Sequence, residues 1–68
     1  MNFSEHLVKL RTERGILQKD LAKEISISVL TYQRYEYGER EPRISTLIAL
    51  ADYYEISLDE LVCREWKP

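Results

Sequence analysis

Cysteine is almost missing from this chain of 68 residues: Cys63 stands alone, so no disulfide can close within it. A structural zinc site fails on the same ground, because Cys63 and the single histidine, His6, do not supply its four ligands. Glycine and proline are equally scarce, at two each. Gly15 and Gly38 cannot build a glycine-rich phosphate cradle, and both stand where a helix would stop. No apolar run approaches the ~20 residues of a membrane-spanning helix. No leader-like segment, repeat or low-complexity tract is visible. No histidine is paired in sequence pattern with an acid and a nucleophile. These absences lead to the expectation of a soluble, cytoplasmic, non-enzymatic protein with no cofactor, no metal, no membrane association and no evident small-molecule ligand.

A chain this short is expected to form one domain over residues 1–68. Such a domain buries only about 60% of its unfolded surface, so it depends on close helix packing or on a partner. The net charge of −2 argues at first against a nucleic-acid partner, but the charges are unevenly placed. Residues 11–43 hold seven Lys or Arg against six acids, a net +1, whereas residues 44–68 hold two against five, a net −3. Any electrostatic attraction to DNA is therefore local and weak. Binding is expected to fall off with salt and to lean on direct contacts.

The chain is organised around residues 17–38, LQKDLAKEISISVLTYQRYEYG. Leu21, Ala22 and Ile25 fall on one face of a 3.6-residue period. Ser26-Ile27-Ser28 leaves no room for a long loop, and Ser28 suits an N-cap. A second helix is predicted over residues 29–37, with Tyr32 and Tyr35 inward, ending at Gly38. Two short helices closed by such a turn form a helix-turn-helix, at about residues 18–37.

The flanks read as helices too. Asn2 and Glu5 have the spacing of a capping box, and Phe3, Leu7 and Leu10 line one face of a first helix running to about Arg14. Val8 lies off that stripe, as a scattered surface residue. Ile44, Leu47, Ile48, Leu50, Ala51 and Tyr54 suggest a broad apolar face on a fourth helix. Ser57 and Glu60 form a second capping-box signature before a short fifth helix carrying Leu58, Leu61 and Val62. Cys63 reads as semi-buried. The expected fold is all-α, a compact five-helix domain.

An ordered set of residues resembles the lambda-repressor-like Cro/cI (XRE) family of helix-turn-helix transcriptional regulators. Within the central stretch it comprises Gln18, Leu21, Ala22, Ile27, Ser28, Tyr35, Glu36 and Gly38. Before it stand Phe3, Leu7, Leu10, Arg11 and Gly15; after it come Pro42, Leu47, Leu50, Ala51, Ser57, Asp59, Glu60 and Leu61. The resemblance covers about residues 3–62. It implies a lambda-repressor-like DNA-binding domain that inserts its third helix in the major groove of double-stranded DNA, acting as a repressor and as a homodimer. Three departures stand out, one being apolar Val29 and Leu30 where the family more often has polar residues. Leu17 occupies the cap position where the family has Thr or Ser, and Ser26 occupies a turn position where it often has Gly.

Carried onto this sequence, the resemblance makes Val29, Leu30, Gln33 and Arg34 the base-reading residues. Arg34 suits guanine, Gln33 suits adenine or a phosphate, and Val29 and Leu30 suit thymine methyl groups. Gln18, Lys19, Ser28, Thr31, Tyr37, Arg40 and Arg43 are the expected backbone contacts. Arg11 and Glu36 are expected to form a structural salt bridge between the first and third helices. Leu58, Leu61, Val62 and Trp66 are left as a dimer surface. The rival reading is a protein-interaction module, such as an antitoxin-like or anti-repressor partner. The acidic balance, the Val29-Leu30 pair and the acids around Arg40 favour it.

Overall fold

The computed structural model describes residues 2–63. Its helices are α1 (Phe3–Glu13), α2 (Gln18–Glu24), α3 (Val29–Glu36), α4 (Ile44–Tyr54) and α5 (Leu58–Leu61), with no strand among the described residues. Side-chain caps start three of them. The Asn2 carboxamide accepts from the Glu5 N–H at 2.9 Å, Ser28 Oγ from the Thr31 N–H at 3.1 Å, and Ser57 Oγ from the Glu60 N–H at 3.1 Å. Leu17 and Arg43, before α2 and α4, make no side-chain cap bond.

The same stop follows α1 to α4. A left-handed residue lies just past each helix, at Gly15 (φ 64°), Ser26 (φ 61°), Gly38 (φ 75°) and Glu55 (φ 55°). The next N–H then reaches back to an orphan carbonyl: Ile16 to Arg11, Ile27 to Ala22, Glu39 to Arg34 and Ile56 to Ala51, at 2.9–3.2 Å. At Gly38 a Cβ would lie 3.4 Å from Ser4 Oγ, an ordinary contact distance, so the left-handed φ and not space favours glycine there. Ser26 and Glu55 adopt the same conformation with a Cβ, which costs roughly 1–2 kcal/mol.

Three of the four stops turn an apolar residue, Ile16, Ile27 or Ile56, back onto the core, while the stop after α3 leads to exposed Glu39. That core holds Leu7, Leu10, Leu21, Ala22, Tyr32, Tyr35, Leu50, Ala51, Tyr54 and Leu61. The α4 stripe differs from expectation. Leu47, Leu50, Ala51 and Tyr54 turn inward, while Ile44 (68% exposed) and Ile48 (46%) stay on the surface. With apolar residues around most of α4, contact with α5 selects the stripe one position further on. Val8 is half-buried, and Cys63, expected semi-buried, is exposed.

One charged group enters this interior. Glu36, at the end of α3, is 7% exposed and is held by Arg11 of α1, with Nε–Oε2 at 2.6 Å and Nη2–Oε1 at 3.1 Å. The Arg11 Nη1 donates to the Ile16 carbonyl at 2.9 Å, tying the pair to the turn after α1. Burial pushes the Glu36 carboxyl up, but the hydrogen bonds from Arg11 and Gln18, with the Tyr32 hydroxyl nearby but unbonded, outweigh it and hold the group below its ordinary value of 4.5. Burial chiefly, then the Glu36 carboxylate, raises the Tyr32 phenol. Burial and neighbouring Tyr53 push the Tyr54 phenol up to about 12, with the Arg14 guanidinium 4.8 Å from its ring centre.

Three outcomes are expected from these contacts. Ser26→Gly should stabilise the chain by about 0.5–1 kcal/mol, since relief of the left-handed strain exceeds the backbone entropy glycine loses; an unchanged urea midpoint would argue against strain at this turn. Arg11→Met should cost about 3 kcal/mol by stranding the carboxylate, and Arg11→Met with Glu36→Met should cost less. Because the folded Glu36 value is depressed, its contribution is fully present above the ordinary value of 4.5 and is lost as pH falls through the folded value. Glu36→Gln should therefore flatten the acid limb of a stability–pH curve.

Candidate nucleic-acid interface

The α3 helix presents two unlike faces. Tyr32, Tyr35 and Glu36 face the core. On the outer side Val29 is 40% exposed, Leu30 56% and Tyr37, the C-cap residue, 64%, and Arg34 is also exposed. Ser28 caps the start of α3, and the residues at this tip are exposed. Val29 and Leu30 supply methyl groups at that tip, and Arg34 supplies an unengaged guanidinium farther along.

Gln33 stands apart from this set. It is half-buried, and its Nε2 donates to Gln18 Oε1 at 3.1 Å, while Gln18 Nε2 donates to Glu36 Oε1 at 3.0 Å. The chain Arg11–Glu36–Gln18–Gln33 therefore runs from α1 through the end of α3 to the start of α2 and back to the outer side of α3. A glutamine amide has two N–H donors and a carbonyl acceptor. Gln33 thus retains its Oε1 and one N–H for an outside partner, in a direction fixed by Gln18.

A polar recess of about 320 Å³ lies beside α3, lined by Ile27, Ser28, Thr31, Tyr35, Arg40, Arg43, Ser45 and Thr46. It gathers four of the expected backbone-contact residues, Ser28, Thr31, Arg40 and Arg43. The Ser28 hydroxyl donates to Thr31 Oγ1 at 2.8 Å, leaving the Thr31 hydroxyl hydrogen as the free donor of the pair. Ser45 and Thr46, which the sequence reading omitted, belong to the first turn of α4. Polar residues just inside an uncapped helix start were the available signal. Gln18 and Lys19 lie in the first turn of α2, away from this recess, and Lys19 is exposed. Such a recess, with two guanidinium groups, hydroxyls and helix-start N–H groups, suits a phosphate oxygen.

Leu61 must be removed from the proposed dimer surface, because it is fully buried under the core. Four residues per α5 leave only one inward position, and Leu61 takes it. Leu58 is 38% exposed and Val62 is half-buried; Trp66 lies outside the described residues. Among the described residues no group of His, Cys, Asp and Glu side chains could hold a metal ion, and no helix is long and apolar enough to cross a membrane.

Comparison with known proteins agrees with this architecture. The helix-turn-helix family model (HTH_3) matches residues 7–61. A transcriptional repressor, RstR of the cryptic phage CTXphi in Vibrio cholerae, is 41% identical over 66 residues, covering 97% of this chain and 58% of the relative. The chain spans about half the length of the curated relatives it matches. A transcriptional regulator from Listeria innocua superposes with a TM-score of 0.90 at 35% identity, over 97% of this chain and 62% of that one. The P22 c2 repressor, solved in complex with the synthetic operator 9T, gives a TM-score of 0.87 at 26% identity, over 96% of this chain and 98% of that one. With α2 and α3 in the helix-turn-helix arrangement, Arg11 bridged to Glu36 and the family model matched along most of its length, the chain belongs to the lambda-repressor-like, Cro/cI-type family of helix-turn-helix regulators.

Proposed function

We propose that this chain binds double-stranded DNA sequence-specifically and represses transcription, as one DNA-binding domain that lays α3 in the major groove. The carrying observation is the outer face of α3, where Val29, Leu30 and Arg34 are exposed beside a recess rich in phosphate-binding groups. Arg34 reads guanine through O6 and N7, Val29 and Leu30 pack on thymine methyls, and Gln33 offers its remaining amide groups to a base or phosphate. Gln18, Lys19, Ser28, Thr31, Tyr37, Arg40 and Arg43 hold the backbone. The CTXphi relative is a repressor and the P22 protein was solved on an operator, which supports this reading over the protein-interaction alternative. The site works by binding rather than catalysis, in the cytoplasm where its DNA lies.

The functional unit is a homodimer on two half-sites about one helical turn apart. Among the described residues, exposed Ile44 and Ile48 of α4 and Leu58 of α5 are apolar residues available for it outside the helix-turn-helix. Sedimentation of the DNA-bound protein tests this; one copy per operator would end the dimer reading.

Fluorescence anisotropy on duplex DNA from upstream of the chain's own gene, beside a scrambled duplex, tests DNA reading. Affinity should favour the first duplex and fall with salt. Arg34→Ala should lose about 1–3 kcal/mol on the specific duplex and little on the scrambled one. Arg40→Ala should weaken both and lower the salt slope by about one. Equal and feeble binding to every duplex tried, genomic fragments included, would sink the proposal.

A further inference from the structure

The amides that lead from the interior to the outer side of α3 have a fixed polarity. An ionised carboxylate only accepts hydrogen bonds. Gln18 must therefore turn its Nε2 toward Glu36, and that nitrogen lies 3.0 Å from Oε1. The Gln18 Oε1 is then left facing Gln33, which must answer with its own Nε2, at 3.1 Å. Turning either amide over would set two acceptors against each other. The carboxylate that starts the sequence of bonds is itself held, since Arg11 donates to both its oxygens at 2.6 and 3.1 Å.

We infer that Glu36 selects, through Gln18, the purine that Gln33 reads in the major groove, adenine and not guanine. This rests on the DNA reading above and gives it a specificity. Gln33 retains Oε1 and one N–H for a partner. Adenine and guanine both present N7 as an acceptor, and they differ beside it: adenine carries the N6 amino donor, guanine the O6 acceptor. An outward Oε1 accepts from N6 while the remaining N–H donates to N7. Against guanine the same oxygen meets O6, another acceptor. A free amide could turn over and serve either purine. Glu36 and Gln18 are thus positioning residues that act on the base through Gln33.

Two further features support the link. Gln33 carries the only side-chain amide of α3, so Gln18 has no other amide on that helix to hold. Both glutamines are half-buried, which shields their mutual bond from competing water.

Selection from a pool of randomised duplexes tests the inference, with enrichment read base by base. The wild-type chain should enrich adenine over guanine at one position by roughly five- to hundredfold. Gln33→Ala should erase that preference and leave the position read by Arg34, which Arg34→Ala identifies, as it was. Gln18→Lys is the reversing variant. An ammonium only donates. It bonds Glu36 and the Gln33 Oε1 together, and so turns both Gln33 N–H groups outward. The preferred purine should switch from adenine to guanine at that one position. A merely bracing role for Gln18 would weaken binding to every duplex without the switch. Glu36→Gln should narrow the adenine preference, because an amide there can meet Gln18 with either end. Should Glu36→Gln unfold, Arg11→Met with Glu36→Met takes its place, with the same expectation.

Guanine preferred by the wild type, or unaltered base preferences in Gln33→Ala, would overturn the inference. Adenine kept in a folded Gln18→Lys chain would do the same. Should that variant lose its helical circular dichroism, Gln18→Ala decides: adenine and guanine at near equality supports the inference, and an undiminished adenine preference overturns it. A preference unchanged in the folded variant at Glu36 overturns it as well. In all these cases a retained Arg34 position would leave the DNA reading standing. Enrichment of no sequence by the wild-type chain would remove that reading and this inference together.

Discussion

The Glu36 carboxylate is the one constraint to which three helices answer. It is the only charged residue in the buried set among the described residues, and a buried charge is tolerable only where donors replace the lost water. Arg11 supplies two of those donors from α1 and Gln18 a third from α2. An apolar core alone would leave α3 free to rotate or slide by small amounts among nearly equal packings. The carboxylate removes that freedom, because each displacement strands a charge at a cost of several kcal/mol. The orientation of the outer face of α3 is thus decided from within, by a side chain at its far end.

That constraint reaches the surface through Gln18 and Gln33. Gln33 receives its direction from Gln18, which is itself anchored on Glu36. A side chain at a binding surface ordinarily loses rotamer entropy when it meets its partner. Here much of that loss occurs on folding, in exchange for specificity of direction. Arg34 is exposed and has no such anchor among the described residues. The interface therefore combines a preset amide, a free guanidinium and two apolar tips.

A small domain must also end its helices cheaply. The repeated left-handed stop satisfies carbonyls at the ends of α1 to α4 and, at all of these but α3, sends an isoleucine back to the core. With glycine at only two of these stops, strain at Ser26 and Glu55 is accepted in return for compactness. The acidic balance follows a similar division along the chain: the excess acid lies in residues 44–68, after α2 and α3 in sequence. On the proposed DNA reading, this balance leaves discrimination to direct contacts more than to charge.

The number of helices, their order and their ends were legible in the sequence, because caps, stops and apolar periods act within a few residues of one another. Ser28, Gly15, Gly38 and Ser57 all stand at the ends they announced. Resemblance further identified the Arg11–Glu36 pair and the outward set on α3. Other features belong to the packed molecule. Ile44 and Ile48 looked equivalent to Leu47 and Leu50, since an apolar helix carries several possible inward stripes and only its neighbour selects one. Leu61 looked available for a partner until α5 turned it under the core. Gln33 looked wholly free because its bond to Gln18 crosses between helices. Ser45 and Thr46 join Arg40 and Arg43 only when the loop folds back beside α3. By itself the sequence determined the helices and their limits through local chemistry; the tertiary structure decided which face of each is spent on the core and which is left to act.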